Sequence, residues 1–276
     1  MTKKKTPITV ADVAYEANVS KATAARVLGG YGVTSEKTRK AVTETAARLG
    51  YQSNELARSM STGRTGLIGV VVGDIENTFF SRTVRGISDA ANTAGLNVII
   101  TNSSENLKQE QEMVSVLLRQ RVAGIIIAPT DAQSTEHLKA AIRSGTPVVT
   151  LDRTAPDLIA DSVCGDDSGA ATQIMHHLHN LGHTHIAYVT ATESAHDHIN
   201  DFSEIGITAV RHRIEAFVAT SQAVGITDPL KFVFTNATSM DQARKIIDKI
   251  LINQPNITAI LASDSHIGAT LYKALK

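Results

Sequence analysis

After Gly66 the chain alternates short, nearly continuous apolar runs (67–72, 97–101, 124–128, 147–151, 186–189, 232–234 and 259–262) with amphipathic stretches at 79–94, 109–121, 136–144, 169–181, 210–223 and 241–252. Runs rich in Val and Ile that lack polar alternation are strands covered on both faces, since a half-exposed strand would alternate with period two. Strands that alternate with helices pair in parallel, because the helix is the crossover that such pairing needs. The pattern restricts residues 67–276 to an α/β body of two doubly wound, parallel-sheet lobes.

The first fifty residues follow a different period. Thr9, with Asp12 three positions on, can accept from the free amides of a first helix and set a carboxylate at its positive end, so a helix is expected to start at Val10. Val10, Val13, Ala14 and Ala17 form its apolar stripe, and Asn18 tolerates the positive φ that ends a helix. Ser20 opens a second helix in which Ala24, Val27 and Leu28 face inward while Lys21, Ala22, Thr23 and Arg26 occupy the first turns and the outer side. A third helix fits Glu36 to Leu49, with Ser35 as its cap and Gly50 as its stop. A plain three-helix bundle would carry the same periodicity. A basic second helix behind a tight turn is also how a helix-turn-helix presents side chains to base edges and phosphates in the major groove.

Charge favours the second of these readings. Up to Thr62 the chain carries ten basic and five acidic residues, whereas the remainder carries 17 basic and 22 acidic, so a formal net charge of zero hides a basic head on an acidic body. That asymmetry is the electrostatic footprint of a nucleic-acid module joined to a domain with another task. The lone Cys164 excludes an intramolecular disulfide and reads as a buried strand residue in a protein of a reducing, cytoplasmic compartment. Lys3–Lys5 are followed by no apolar h-region, and no apolar run reaches membrane-spanning length. No Gly-x-Gly-x-x-Gly follows a strand and no Gly-Lys-Ser/Thr phosphate loop occurs, so neither an enzyme nor a cofactor is expected. His176, His177, His179, His183 and His185 are dense enough to suggest a metal, but Gly182 breaks the helix before His183 and spoils tetrahedral convergence, so no metal is expected.

Several longer motifs stand in order along the chain: Asp12-Val13-Ala14 with Val19-Ser20-Lys21-Ala22-Thr23, Leu56-Ala57-Arg58-Ser59-Met60, Asp74-Ile75-Glu76-Asn77-Thr78-Phe79-Phe80, Gln120-Arg121-Val122-Ala123-Gly124, Leu151-Asp152-Arg153, and Leu181-Gly182-His183. In these, from Ile8 to Lys276, the chain resembles the LacI/GalR (lactose-repressor) family of bacterial transcription regulators. The resemblance implies a helix-turn-helix domain at 1–52, a hinge helix and linker at 53–66, and an effector-binding and dimerisation domain at 67–276 with the periplasmic-binding-protein (type I) fold. It implies a homodimer on a two-fold double-stranded operator, acting as a repressor under the control of a small sugar-like effector.

Within the head, the match sets Lys21, Ala22 and Arg26 at base-reading positions behind Ser20, with Thr23 near phosphate. The hinge, with Leu56 and Ala57, would enter the minor groove, where Met60 takes the place of a wedging leucine. In the body it implies a cleft formed by Asn77, Phe79 and Phe80 after the first strand, Asp152 and Arg153 after the fourth, and Arg213 in a second-lobe helix. A pair after the last apolar run, Asp264 and Ser265, completes it, and an aromatic platform with Asp and Arg partners suits a polyol. Departures from the pattern are Ala24-Ala25 for Val-Ser, Gly29-Gly30 where asparagine is usual, Asp264-Ser265 for Asn-Asp, and a long 190–209 connection that reads either as a cover for the cleft or as a solvent loop. Against the family pattern the chain is C-terminally truncated at Lys276, inside a helix, so both sheets are expected to lack strands and the cleft part of its wall.

Overall fold

A computed structural model describes residues 8–51, 65–194 and 199–276, and the chain divides into two compact units at Gly66. The first holds α1 (Val10–Glu16), α2 (Lys21–Gly29) and α3 (Glu36–Leu49). All three start on the caps that their sequences offer. Thr9 and Asp12 form a reciprocal capping box at α1, and the bonds from the Thr9 amide and hydroxyl hold the Asp12 carboxyl below its usual range. Ser20 and Ser35 accept from the amides of Thr23 and Thr38. Asn18 takes φ 53°, and Gly30 and Gly50 close α2 and α3 in the left-handed region. Val13, Ala14, Ala24, Val42 and Ala46 meet in one small core.

The second unit contains two parallel sheets. β1 (Leu67–Val72), β2 (Asn97–Asn102), β3 (Gly124–Ile127), β4 (Val148–Leu151) and β5 (Asp161–Val163) lie in the order β2-β1-β3-β4-β5. Their crossovers are α4 (Thr78–Thr93), α5 (Leu107–Arg119) and α6 (Glu136–Arg143). β6 (Ile186–Val189), β7 (Val233–Phe234) and β8 (Ala259–Ala262) lie in the order β7-β6-β8. α7 (Asp167–Asn180) and α8 (Thr208–Ala223) accompany this second sheet, as do α9 (Met240–Asn253) and α10 (Ser265–Ala274). Because β1 and β6 are buried on both faces, each sheet sits between two cores. Val71 and Leu117 belong to one side of the first sheet, Val70 and Phe80 to the other; Tyr188 and Phe217 mark one side of the second, Val189 and Ile247 the other.

Two expectations need correction. β5 is absent from the apolar pattern: Asp161-Ser162-Val163 is an exposed, polar edge strand held by its pairing with β4, and an edge strand covered by little has no need of an apolar run. Cys164 follows it, exposed and outside any strand, rather than buried within one. Partial desolvation, followed by the Asp152 and Asp167 carboxylates, pushes its thiol pKa up, which disfavours the thiolate.

The lobes touch across the 190–209 connection. Ala132 donates to the Gly206 carbonyl, and the Thr154 amide donates to the buried Thr208 hydroxyl at the start of α8. Ile199 and Ile205 bury in the second lobe. Among the described residues no helix is long and apolar enough to cross a membrane, and no group of three or more potential metal-ligating side chains converges.

Close packing in the first sheet gives a stability test. A Cβ on Gly69 would lie 2.6 Å from Leu117 Cδ1, inside the fully buried face of α5. Gly69→Ala is expected to destabilise the body by about 1–3 kcal/mol through overpacking. Leu117→Ala costs about 2–5 kcal/mol by itself. The double variant, measured by urea unfolding, should lose less than the sum of the two; strict additivity would show that these atoms do not compete for one space.

Candidate functional site

Two surfaces carry polar side chains that the fold arranges rather than buries. The first is the outer side of α2. Ala24 is fully buried, which fixes the rotation of the helix about its axis and leaves Lys21, Ala22 and Arg26 exposed in its first two turns. Ser20 and Thr23 face each other across the helix start, hydroxyl to hydroxyl at 2.8 Å. Gly29-Gly30, a departure noted in the sequence, has two separate geometric reasons. Gly30 is the left-handed cap at φ 71°, and a Cβ on Gly29 would collide with the ring of Tyr31. Downstream, Gly32 lets the Arg26 stem lie close, since a Cβ there would sit 3.2 Å from Arg26 Cδ. Leu56, Ala57 and Met60 lie outside the described residues.

The second surface is a cavity of about 700 Å³ between the sheets of the body. Asn77, Phe79 and Phe80 from the β1–α4 turn, Asp152 and Arg153 after β4, Arg213 on α8, and Asp264 and Ser265 after β8 all line it. The family resemblance implies one cleft for these residues, and the fold brings all eight to one cavity.

Each is placed by a local cause. Asn77 caps α4 by accepting from the Phe79 amide at 3.0 Å. Phe79 is 47% exposed, but Phe80 is 2% exposed and packs with Val70, Val72 and Val84. The two rings meet edge to face at 5.2 Å, so Phe79 supplies the accessible aromatic surface and Phe80 a core edge, instead of one flat platform. Asp264 caps α10 with two backbone amides on Oδ1.

The charged groups at the cavity wall are mutually restrained. Arg153, 5% exposed, makes two 2.7 Å bonds to the Glu105 carboxylate, a third to the Pro129 carbonyl, and lies 5.6 Å over the Phe80 ring. Burial pulls its guanidinium pKa down, but the hydrogen bonds and charge of Glu105, with the charges of Asp152 and Glu110, together outweigh that and leave it raised. Arg213 donates through Nε to Asp167 at 2.6 Å and through Nη1 to the Ser263 carbonyl. Its Nη2 has no partner among the described residues. Asp152 stands at φ 64° with its carboxylate 3.6 Å from Arg153 Nε. Desolvation is the main cause that lifts its pKa, against the pull of Arg153 and Arg213.

Glu105 and Asp167 were missed in the sequence. Glu105 stands after β2, where a strand's C-terminal end would have nominated it as it nominated Asn77 and Asp152. Its left-handed backbone (φ 55°) and its seat above Gly73, where a Cβ would collide with its carboxylate, bring it onto Arg153. The amphipathic period points to a helix from Gly169, but Asp166 accepts from the Gly169 amide and α7 begins two residues earlier, at Asp167. Thr190–Glu193 and Ile207 also reach the cavity, so part of the long connection lines it.

The sequence model for periplasmic binding proteins and the sugar-binding domain of the LacI family matches residues 65–276, and that for bacterial regulatory proteins of the lacI family matches residues 9–54. The chain belongs to the LacI family. Among relatives, catabolite control protein A of Priestia megaterium is 36% identical over 185 residues, covering 67% of this chain and 55% of that protein. The ribose operon repressor of Halalkalibacterium halodurans (strain ATCC BAA-125 / DSM 18197 / FERM 7344 / JCM 9153 / C-125) is 29% identical over 266 residues, covering 96% and 74%. The matched stretch thus spans between about half and three-quarters of these relatives' length. A lac repressor dimer bound to operator and the anti-inducer ONPF superposes with TM-score 0.79 at 22% identity, covering 98% of this chain and 78% of that one. A LacI-family regulator from Enterococcus faecium with bound ribose superposes with TM-score 0.61 at 28% identity, covering 76% and 71%. The helical head and the two-lobed parallel body are therefore the LacI-family fold, and the relatives are transcriptional regulators.

Asp152 yields a test with a defined sign. A carboxyl with a raised folded-state pKa costs nothing while it is protonated, and its penalty grows as pH rises from the unfolded value of about 3.9 through the folded one. Asp152→Asn, which also suits positive φ, is expected to melt above the wild type at pH 7, with the gap narrowing as pH falls towards 4. A gap that widens on acidification would overturn the desolvation argument.

Proposed function

We propose that this chain is a sequence-specific DNA-binding transcriptional repressor, controlled by a small sugar-like effector and acting as a cytoplasmic homodimer on a two-fold operator. The reading divides it into a DNA reader at 1–52, a hinge at 53–66 and an effector and dimerisation body at 67–276. The observation that carries it is the combination, in one LacI-family chain, of a helix-turn-helix whose capped second helix leaves Lys21, Ala22 and Arg26 exposed and a body whose interlobe cavity gathers Asp152, Arg153, Arg213 and Asp264. Arg26 is the residue suited to two acceptors on a guanine, and Lys21 to a base edge or a phosphate. Ser20 and Thr23 anchor the helix start against the backbone, and Leu56, Ala57 and Met60 act from the minor groove.

In the body, Phe79 offers an apolar face, Asp152 and Asp264 accept from hydroxyls, and the open Nη2 of Arg213 donates to one. Asn77, Ser265 and the restrained Arg153 complete the wall, and Phe80 supports it from the core. Effector binding favours one relative arrangement of the lobes, and through the hinge it biases the spacing of the two heads. The relatives named for ribose regulation and the ribose-bound regulator support a sugar as the effector class.

DNA binding by the full chain is expected to weaken steeply with salt, with log affinity linear in log salt concentration. Lys21→Ala should lower affinity and, where it neutralises phosphate, reduce that slope by about one; Arg26→Ala should cost about 1–3 kcal/mol and relax preference at one base pair. Fluorescence anisotropy with selected duplexes between 50 and 200 mM salt, roughly the range over which phosphate contacts are resolved, measures both. A chain with no affinity for any duplex at low salt would overturn the reading.

A further inference from the structure

Among the described residues that line the cavity, the two guanidinium groups are each already held by a carboxylate of the protein. Arg153 is held by both Glu105 oxygens, by the Pro129 carbonyl and by the Phe80 ring, and is 5% exposed, so it cannot swing towards a ligand without breaking a bidentate pair. Arg213 is held by Asp167 and the Ser263 carbonyl, which leaves one edge to donate hydrogen bonds but little uncompensated charge. Five carboxylates, those of Asp74, Glu105, Asp152, Glu193 and Asp264, line the same cavity against these two guanidinium groups. Asp152 adds to this excess: its side chain is 13% exposed, its nearest cation is 3.6 Å away, and it is poorly solvated. A desolvated carboxylate gains from a hydroxyl or ammonium donor and repels a second anion, and low local dielectric magnifies both effects.

Resting on the reading of this cavity as the effector pocket, we infer that it takes uncharged or amino-bearing polyols and rejects phosphorylated or carboxylated ones. The restraint of Arg153 by Glu105 is what sets this preference. In a pocket where Arg153 were free, its planar donor fork would suit a phosphate or carboxylate bidentately. Here the protein's own carboxylate takes that fork, and the left-handed backbone of Ser104 and Glu105, together with the bare Gly73, keeps it there.

The test uses the full chain and matched sugars: ribose against ribose 5-phosphate, and glucose and glucosamine against glucose 6-phosphate and gluconate. Affinities come from calorimetry or thermal shift at fixed low ionic strength. A neutral or amino member should bind at least about tenfold more tightly than its anionic counterpart. Glu105→Gln, which releases one Arg153 arm while keeping a hydrogen-bond acceptor, should close that gap by about tenfold or reverse it. Asp74→Asn can keep the acceptor that the Glu76 amide uses while it removes the charge and turns the other oxygen into a donor, so it should narrow the gap in the same direction even if Glu105→Gln unfolds the protein. Anionic sugars binding the wild type as well as or better than their neutral parents would overturn the charge preference and leave the sugar pocket standing. No binding of any sugar to the wild type or to either variant would overturn the pocket reading, and this inference with it.

Discussion

Parallel pairing of every strand within each sheet is the constraint from which the rest of the body follows. Parallel strands cannot be joined by tight hairpins, so each must be followed by a crossover, and all the strand-to-helix turns of one sheet emerge at the same edge. In the first lobe those turns deliver Asn77 and Phe79 after β1, Glu105 after β2, and Asp152 with Arg153 after β4 to one wall. In the second they deliver Thr190 after β6 and Asp264 after β8, with Arg213 projecting from the first turns of α8. The sequence distance between Asn77 and Ser265 is thereby irrelevant to their meeting.

The turns that line the cavity hold their side chains at a conformational cost. Ser104, Glu105 and Asp152 all occupy the left-handed region, which for residues other than glycine costs on the order of 1–2 kcal/mol each. The cost is met locally by what the conformation permits. Glu105 reaches Arg153 across bare Gly73, and the Asp152 amide donates to the Val163 carbonyl of the edge strand β5. The short polar strand that left no apolar trace in the sequence is thus part of what orients the cavity's most desolvated carboxylate. A second buried pair, Glu110 with His137 at 2.7 Å and with the Thr130 amide, braces the turn after β3 from behind.

The head rests on a different principle. It has few apolar side chains, so its three short helices depend on their ends: a capping box at Thr9, serine caps at Ser20 and Ser35, and left-handed stops at Asn18, Gly30 and Gly50. Each cap contributes about 1 kcal/mol, a large share for helices too short to be stable alone. The caps set where α2 starts and stops, and the burial of Ala24 fixes its rotation and so which of its side chains stay outside.

Local interactions were legible in the chain itself. Helix starts at Val10 and Glu36, strands at 67–72, 186–189 and 259–262, and the helical-head and parallel-body architecture follow from caps and apolar period, because those forces act between residues a few positions apart. Family motifs added the cavity residues by position. What only the tertiary structure decided was what those residues are free to do. Asp161–Val163 becomes a strand only because β4 is beside it, Cys164 is left exposed beyond that edge, and Phe80 turns into the core while Phe79 does not. Arg153 is engaged by a glutamate 48 positions away and Arg213 by an aspartate 46 positions away. The family motifs imply two arginines at a cleft, and only their partners, reached through sheet topology and left-handed turns, determine how much of their charge remains for a ligand.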